Sequence, residues 1–89
     1  MNITCLEKCF KAATDLDVKF IAVKILMDGQ EKPEVIINQR QNFESKLAYY
    51  TKAYNEDLTL KTYGGIRIVG FAFGNSFNEI QVKLNEWVW

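Results

Sequence analysis

The chain contains no histidine, which removes both the side chain best placed for acid–base work near neutral pH and the commonest metal ligand. Its two cysteines, Cys5 and Cys9, are too few soft ligands for a zinc site. No serine or cysteine has a histidine to serve as its base, and no pair of carboxylates falls in an apolar setting, so no catalytic residue is expected and the chain reads as a non-enzyme. Asp15/Asp17 and Glu56/Asp57 fall in expected loops, which offer too few oxygen ligands for a cation. Neither a Gly-x-Gly-x-x-Gly nor a Walker pattern occurs; no metal or cofactor is expected. The 11 basic and 11 acidic residues cancel, whereas general nucleic-acid binding needs a basic face that displaces counterions from phosphate. The longest apolar run, Ile21 to Met27, is broken by Lys24 and is too short to span a bilayer. No basic segment leads into an apolar stretch near the start, so no secretory leader is read and a cytoplasmic setting is expected.

What is present describes a globular protein. At 89 residues and 48% hydrophobic, residues 1–89 form one domain with a single core, burying roughly 60–65% of the unfolded surface. Zero net charge leaves no self-repulsion to oppose association near the pI of 6.2. Cys5 and Cys9 lie one helical turn apart, where a disulfide is strained; both are expected to be small buried residues in a reducing compartment.

Periodicity places the elements. Thr4 with Glu7 forms a capping box for a first helix, whose stripe is Leu6, Cys9, Phe10 and Ala13. Val18 to Met27 is the strongest strand, apolar on both faces and therefore central. Asp28-Gly29 opens a turn, and Pro33 begins an edge strand through Asn38. A two-residue turn would oppose Val23 to Glu34, so a three- or five-residue loop pairing Ile21, Val23 and Ile25 with Val35 and Ile37 is preferred. Asn38 or Asn42 caps a second helix with the stripe Phe43, Leu47, Tyr50 and Tyr54. Gly64-Gly65 then reads as a primed hairpin turn between Leu58–Tyr63 and Ile66–Phe73. It would put Leu60, Val69 and Phe71 in the core with Val23, Ile25, Phe43, Leu47 and Ile80. Gly70 in mid-strand signals a bulge or close approach. Ser76 with Glu79 caps a third helix whose inner face is Phe77, Ile80, Leu84 and Trp87. The expected fold is α+β: a four-stranded antiparallel sheet in two hairpins with three helices, order α-β-β-α-β-β-α, in two layers.

Three constellations point toward function. Tyr49 lies off its helix stripe and Tyr63 lies at the expected hairpin tip. Both are candidate contact residues, and Tyr63 with Lys61, Ile66, Arg67 and Ile68 on the outer sheet face makes a mixed, partly apolar patch suited to binding a protein. Gly74, Asn75 and Ser76, between a strand and a helix, could present backbone N–H groups to an anion. The ending Trp87-Val88-Trp89 places two large apolar rings where a terminus is usually polar. Trp87 is expected inside the protomer, and Val88 and Trp89 at a self-association surface, most simply of a homodimer.

Small size, absent chemistry, an aromatic surface and Lys/Asn/Ile/Tyr-rich usage resemble the style of a small phage or mobile-element accessory protein. The absent catalytic set and the aromatic, partly apolar surface point to a non-enzymatic protein-binding module that works by occlusion, and the resemblance implies a host protein as its target. The alternative is a small-ligand or nucleotide-binding protein with a pocket formed across a homodimer at Gly74–Ser76. Single-strand nucleic-acid binding on the sheet ranks behind both because the charge is balanced.

Overall fold

A computed structural model of the chain describes residues 2–86. The first helix, α1 (Ile3–Asp15), is capped by Asn2, whose side-chain oxygen accepts from the Cys5 N–H at 3.0 Å. Thr4 lies inside the helix, so the cap falls two residues earlier than the Thr-x-x-Glu pattern suggests. Leu6, Phe10 and Ala13 are its buried stripe. Asp17 closes the helix in the left-handed region at φ 57. The Val18 N–H then reaches the Ala13 carbonyl, and the Asp17 N–H reaches that of Thr14. Those are the two bonds of a Schellman ending, with aspartate in the place glycine usually takes.

The sheet contains β1 (Phe20–Met27), β2 (Glu34–Gln39), β3 (Thr59–Leu60) and β4 (Tyr63–Gly74), in spatial order β2-β1-β4-β3. Every pairing is antiparallel. A 3-10 turn at Arg40–Asn42 leads into α2 (Phe43–Ala53), and α3 (Phe77–Glu86) follows β4. This is the expected α+β order, with β1 in the interior of the sheet.

One face of the sheet carries Ile21, Val23, Ile68 and Phe71. It packs against Leu6, Phe10 and Ala13 of α1 and Phe43 and Tyr50 of α2, with Tyr54 and Leu58 closing the cluster. The Phe10 ring meets Phe43 edge-on at 5.9 Å and Tyr50 at 6.1 Å. These aromatic stripes are core, as their spacing requires. Ile80 departs from the single core expected of it. With Leu84 it packs on Ala22 and Ala72, flanked by Phe20, on the opposite face. Alanine at both strand positions lets α3 lie close to the β1–β4 pair. Phe77 is largely exposed and leans on Phe20 at 5.0 Å instead of facing the core.

Two registers differ from the sequence expectation. In the first hairpin Val23 opposes Ile36 and Ile21 opposes Asn38. Val35 and Ile37 therefore project from the other face, 42% and 38% exposed. The connection after Met27 has the register of a four-residue loop, one residue away from either the three- or the five-residue loop that the apolar pattern suggested, and one residue reverses every side chain. The place that pattern gave to an apolar residue is filled by Asn38, 2% exposed, whose Nδ2 donates to the Ile21 carbonyl at 3.1 Å. Asn38 is thus a buried strand residue, and Asn42 stands at the start of α2 without a side-chain cap bond.

In the second hairpin the turn is Lys61-Thr62, with Leu60 opposite Tyr63. Gly64 and Gly65 lie within β4, and neither has positive φ. The β1–β4 register also shifts between Lys24/Gly70 and Ile25/Ile68, which is the bulge that Gly70 signalled. That extra residue turns Ile68 inward, 3% exposed, and leaves Val69 only partly buried, while Leu60 of β3 packs partly buried against the core.

Candidate interaction surface

Tyr63, Gly65 and Arg67 alternate along β4 and share the face turned away from α1 and α2. Tyr63 is 53% exposed, and its ring lies over Gly65. A Cβ on Gly65 would meet its ring at 2.7 Å and the Asp28 carboxylate at 2.7 Å, so the absent side chain is what lets both lie there. The Asp28 N–H donates to the Gly65 carbonyl at 2.8 Å, extending the β1–β4 ladder into the turn. Arg67 Nη1 stands 3.9 Å from Asp28 Oδ1. Both groups are substantially exposed, so this ion pair contributes little to stability.

The sequence candidates therefore divide. Tyr63 and Arg67 share the outer face. Ile66 is half-buried and Ile68 lies in the core, both turned to the inner face by the bulge. Ile68 is corrected from a contact residue to a core residue. Tyr49 is exposed on α2, on the helical side of the sheet. Its ring touches Tyr50 edge-on at 5.4 Å, and Lys46 Nζ lies 5.9 Å from its centroid. Sequence reasoning missed Asp28, which an Asp-Gly turn reading leaves as a solvated loop residue.

The Gly74–Ser76 loop forms the second expected capping box. Ser76 Oγ accepts from the Glu79 N–H at 3.2 Å, and Glu79 Oε2 accepts from the Asn75 N–H at 2.9 Å. A Cβ at Gly74 would stand 3.0 Å from the Glu79 carboxyl carbon, so the glycine makes room for that side chain. The Asn75 backbone bond first, then Lys83, whose Nζ stands 3.3 Å away, hold the Glu79 carboxyl below its ordinary pKa. The anion position at this helix N-terminus thus holds the chain's own carboxylate. Asn75 is further engaged through Oδ1, which accepts from the Lys19 N–H at 3.1 Å.

Cys5 is exposed and Cys9 is partly buried, so only Cys9 resembles the expected packing residue. Burial pushes the Cys9 thiol up to about 12, opposed by the Lys83 charge. Its thiolate, the reactive form, is suppressed. A shallow groove of about 400 Å³ passes Cys5, Cys9, Phe73 and Lys83, and another of about 520 Å³ lies between α1 and the start of α2. Among the described residues no three of His, Cys, Asp and Glu are grouped to hold a metal, and no helix is long and apolar enough to cross a membrane. Val88 and Trp89, the self-association candidates, and Trp87 lie outside the described residues. Compared with family models, curated proteins and solved structures, the chain matches none of them.

Proposed function

We propose that this chain is a non-enzymatic protein-binding module that acts by covering a surface of its partner. The observation that carries the reading is Tyr63: a half-exposed aromatic ring lying over Gly65, with Arg67 on the same sheet face and 3.9 Å from Asp28. Aromatic and arginine side chains anchor protein interfaces. The partner is a protein of the compartment in which the chain acts, here proposed to be the cytoplasm. In the phage or mobile-element setting suggested by the composition, it is a host protein inhibited by occlusion. We further propose that the module works as a homodimer, since balanced charge leaves association unopposed.

The alternative, a nucleotide or other anion bound at Gly74–Ser76 across a dimer, is disfavoured by the Glu79 carboxylate already bonded to the Asn75 N–H. Quantitative capture from lysate tests the reading, comparing the parent with Tyr63→Ala and Arg67→Ala. Both variants should keep the parent's circular dichroism and lose the captured protein. Retention of the same protein by both folded variants would refute this surface. A thermal-shift panel of nucleotides tests the alternative, because a ligand at 100 times its Kd stabilises by about 2.7 kcal/mol.

A further inference from the structure

The sheet has two edges, and they are treated differently. On the β4 side, β3 is only two residues long, and Lys83 Nζ donates to the exposed-side Phe73 carbonyl at 2.6 Å. Short strands and edge lysines are ordinary devices against strand addition. The β2 side differs, with Lys32 and Pro33 only at its entrance. It is a regular six-residue strand, Glu34–Gln39, whose central residues Val35, Ile36 and Ile37 carry no charge.

Backbone polarity along β2 follows from its pairing. The Arg40 N–H donates to the Lys19 carbonyl at 3.0 Å. Antiparallel ladders alternate, so Asn38, Ile36 and Glu34 likewise turn their N–H and C=O groups to β1. Val35, Ile37 and Gln39 turn theirs away, and these make no hydrogen bond among the described residues. The side chains of Val35 and Ile37 are the exposed apolar pair of this strand.

We infer that β2 is the seam of a symmetric dimer in which it pairs antiparallel with β2 of a second copy. This rests on the proposal that the chain self-associates and assigns the surface. The charges select a second copy as occupant. Glu31, Lys32 and Glu34 leave one end of β2 negative by one, while Lys19, Arg40 and Asp17 leave the other end positive by one. A two-fold axis at Ile37 lays each negative end against the partner's positive end. It sets Ile37 opposite the same residue of the second copy and Val35 opposite Gln39. The outward groups then exchange about six backbone hydrogen bonds. A parallel arrangement, or a shift of two residues that opposes Lys32 to Arg40, brings like charges together. The product is a continuous eight-stranded sheet with four exposed aliphatic side chains side by side across the seam.

Hydrogen exchange and sedimentation on the full chain test this. The parent should sediment as a dimer at high concentration. The amides of Val35, Ile37 and Gln39 should be protected there and lose protection on dilution to monomer. Ile37→Pro removes an outward N–H that β1 does not use, and Ile37→Lys places a charge on the axis. Each should give a folded monomer. Deletion of Val88 and Trp89 should leave the dimer intact. A parent that stays monomeric at every concentration overturns both the seam and the homodimer. A dimer in which those three amides exchange freely, or one lost only on the tail deletion, overturns the seam and leaves self-association standing. Should either Ile37 variant fail to fold, the exchange pattern of the parent decides alone. Neither outcome bears on Tyr63.

Discussion

Ile68→Ala separates the observed packing from the one suggested by a Gly64-Gly65 turn. With a turn at those glycines, Ile68 would project from the outer sheet face, and truncation there would change stability by no more than about 0.5–1 kcal/mol. In the structure the residue is 3% exposed, opposite Ile25, within the cluster that includes Val23, Leu58 and Phe71. The change removes three carbon atoms, worth about 2.4 kcal/mol at about 0.8 kcal/mol per buried CH₂. Incomplete collapse of the space adds about 1 kcal/mol or more, so the expected loss is about 3–4 kcal/mol. For a domain of this size each kcal/mol lowers Tm by roughly 4–8 °C, giving a fall of roughly 12–30 °C. Thermal melts followed by circular dichroism, with urea titrations checking that the m value is unchanged, measure it. A variant melting within about 4 °C of the parent would refute the bulged register and return Ile68 to the surface.

Asn38→Asp should destabilise by about 3 kcal/mol or more at neutral pH, because it replaces the Nδ2 donor to the Ile21 carbonyl with a buried carboxylate; urea titrations at pH 7 and pH 4 should show part of that loss recovered at the lower pH. Glu79 has a folded-state pKa below its ordinary value, so its stabilising contribution is complete above that ordinary value and vanishes as pH falls through the depressed one. Glu79→Gln should therefore flatten the acid limb of a Tm-against-pH curve, and an unchanged limb would remove the Asn75 and Lys83 contacts from the account. Cys5 is exposed while burial suppresses the Cys9 thiolate. A thiol reagent at neutral pH should label one cysteine per native chain rapidly and the second only on unfolding, as mass spectrometry would show.

Much of the fold was legible in the residues themselves. The α-β-β-α-β-β-α order, the central place of β1, the burial of Phe10, Phe43, Tyr50 and Tyr54, and the Ser76–Glu79 cap all follow from local periodicity and hydrogen-bonding chemistry. These are short-range properties, fixed by neighbours within one or two turns or by alternation along one strand. The bulge was also marked, by Gly70, but its consequence was not. A bulge exchanges the faces of all residues beyond it, and only the partner strand fixes where it falls.

What the tertiary structure decided was face and partner. The choice between Val35/Ile37 and Ile36/Asn38 as the inward pair depends on how many residues the connection after Met27 consumes, and both sets alternate equally well in sequence. The inward choice buries an asparagine and leaves two aliphatic side chains on an open edge. Likewise, the Tyr63 ring and the Asp28 carboxylate lie together over Gly65 because Gly65 and Asp28, distant in sequence from each other, meet across β1 and β4. Sequence determined which segments are helix, strand and core, because backbone sterics and apolar spacing act locally. Register and exposure were set by pairing between distant segments, where one residue of loop decides which side chains face water.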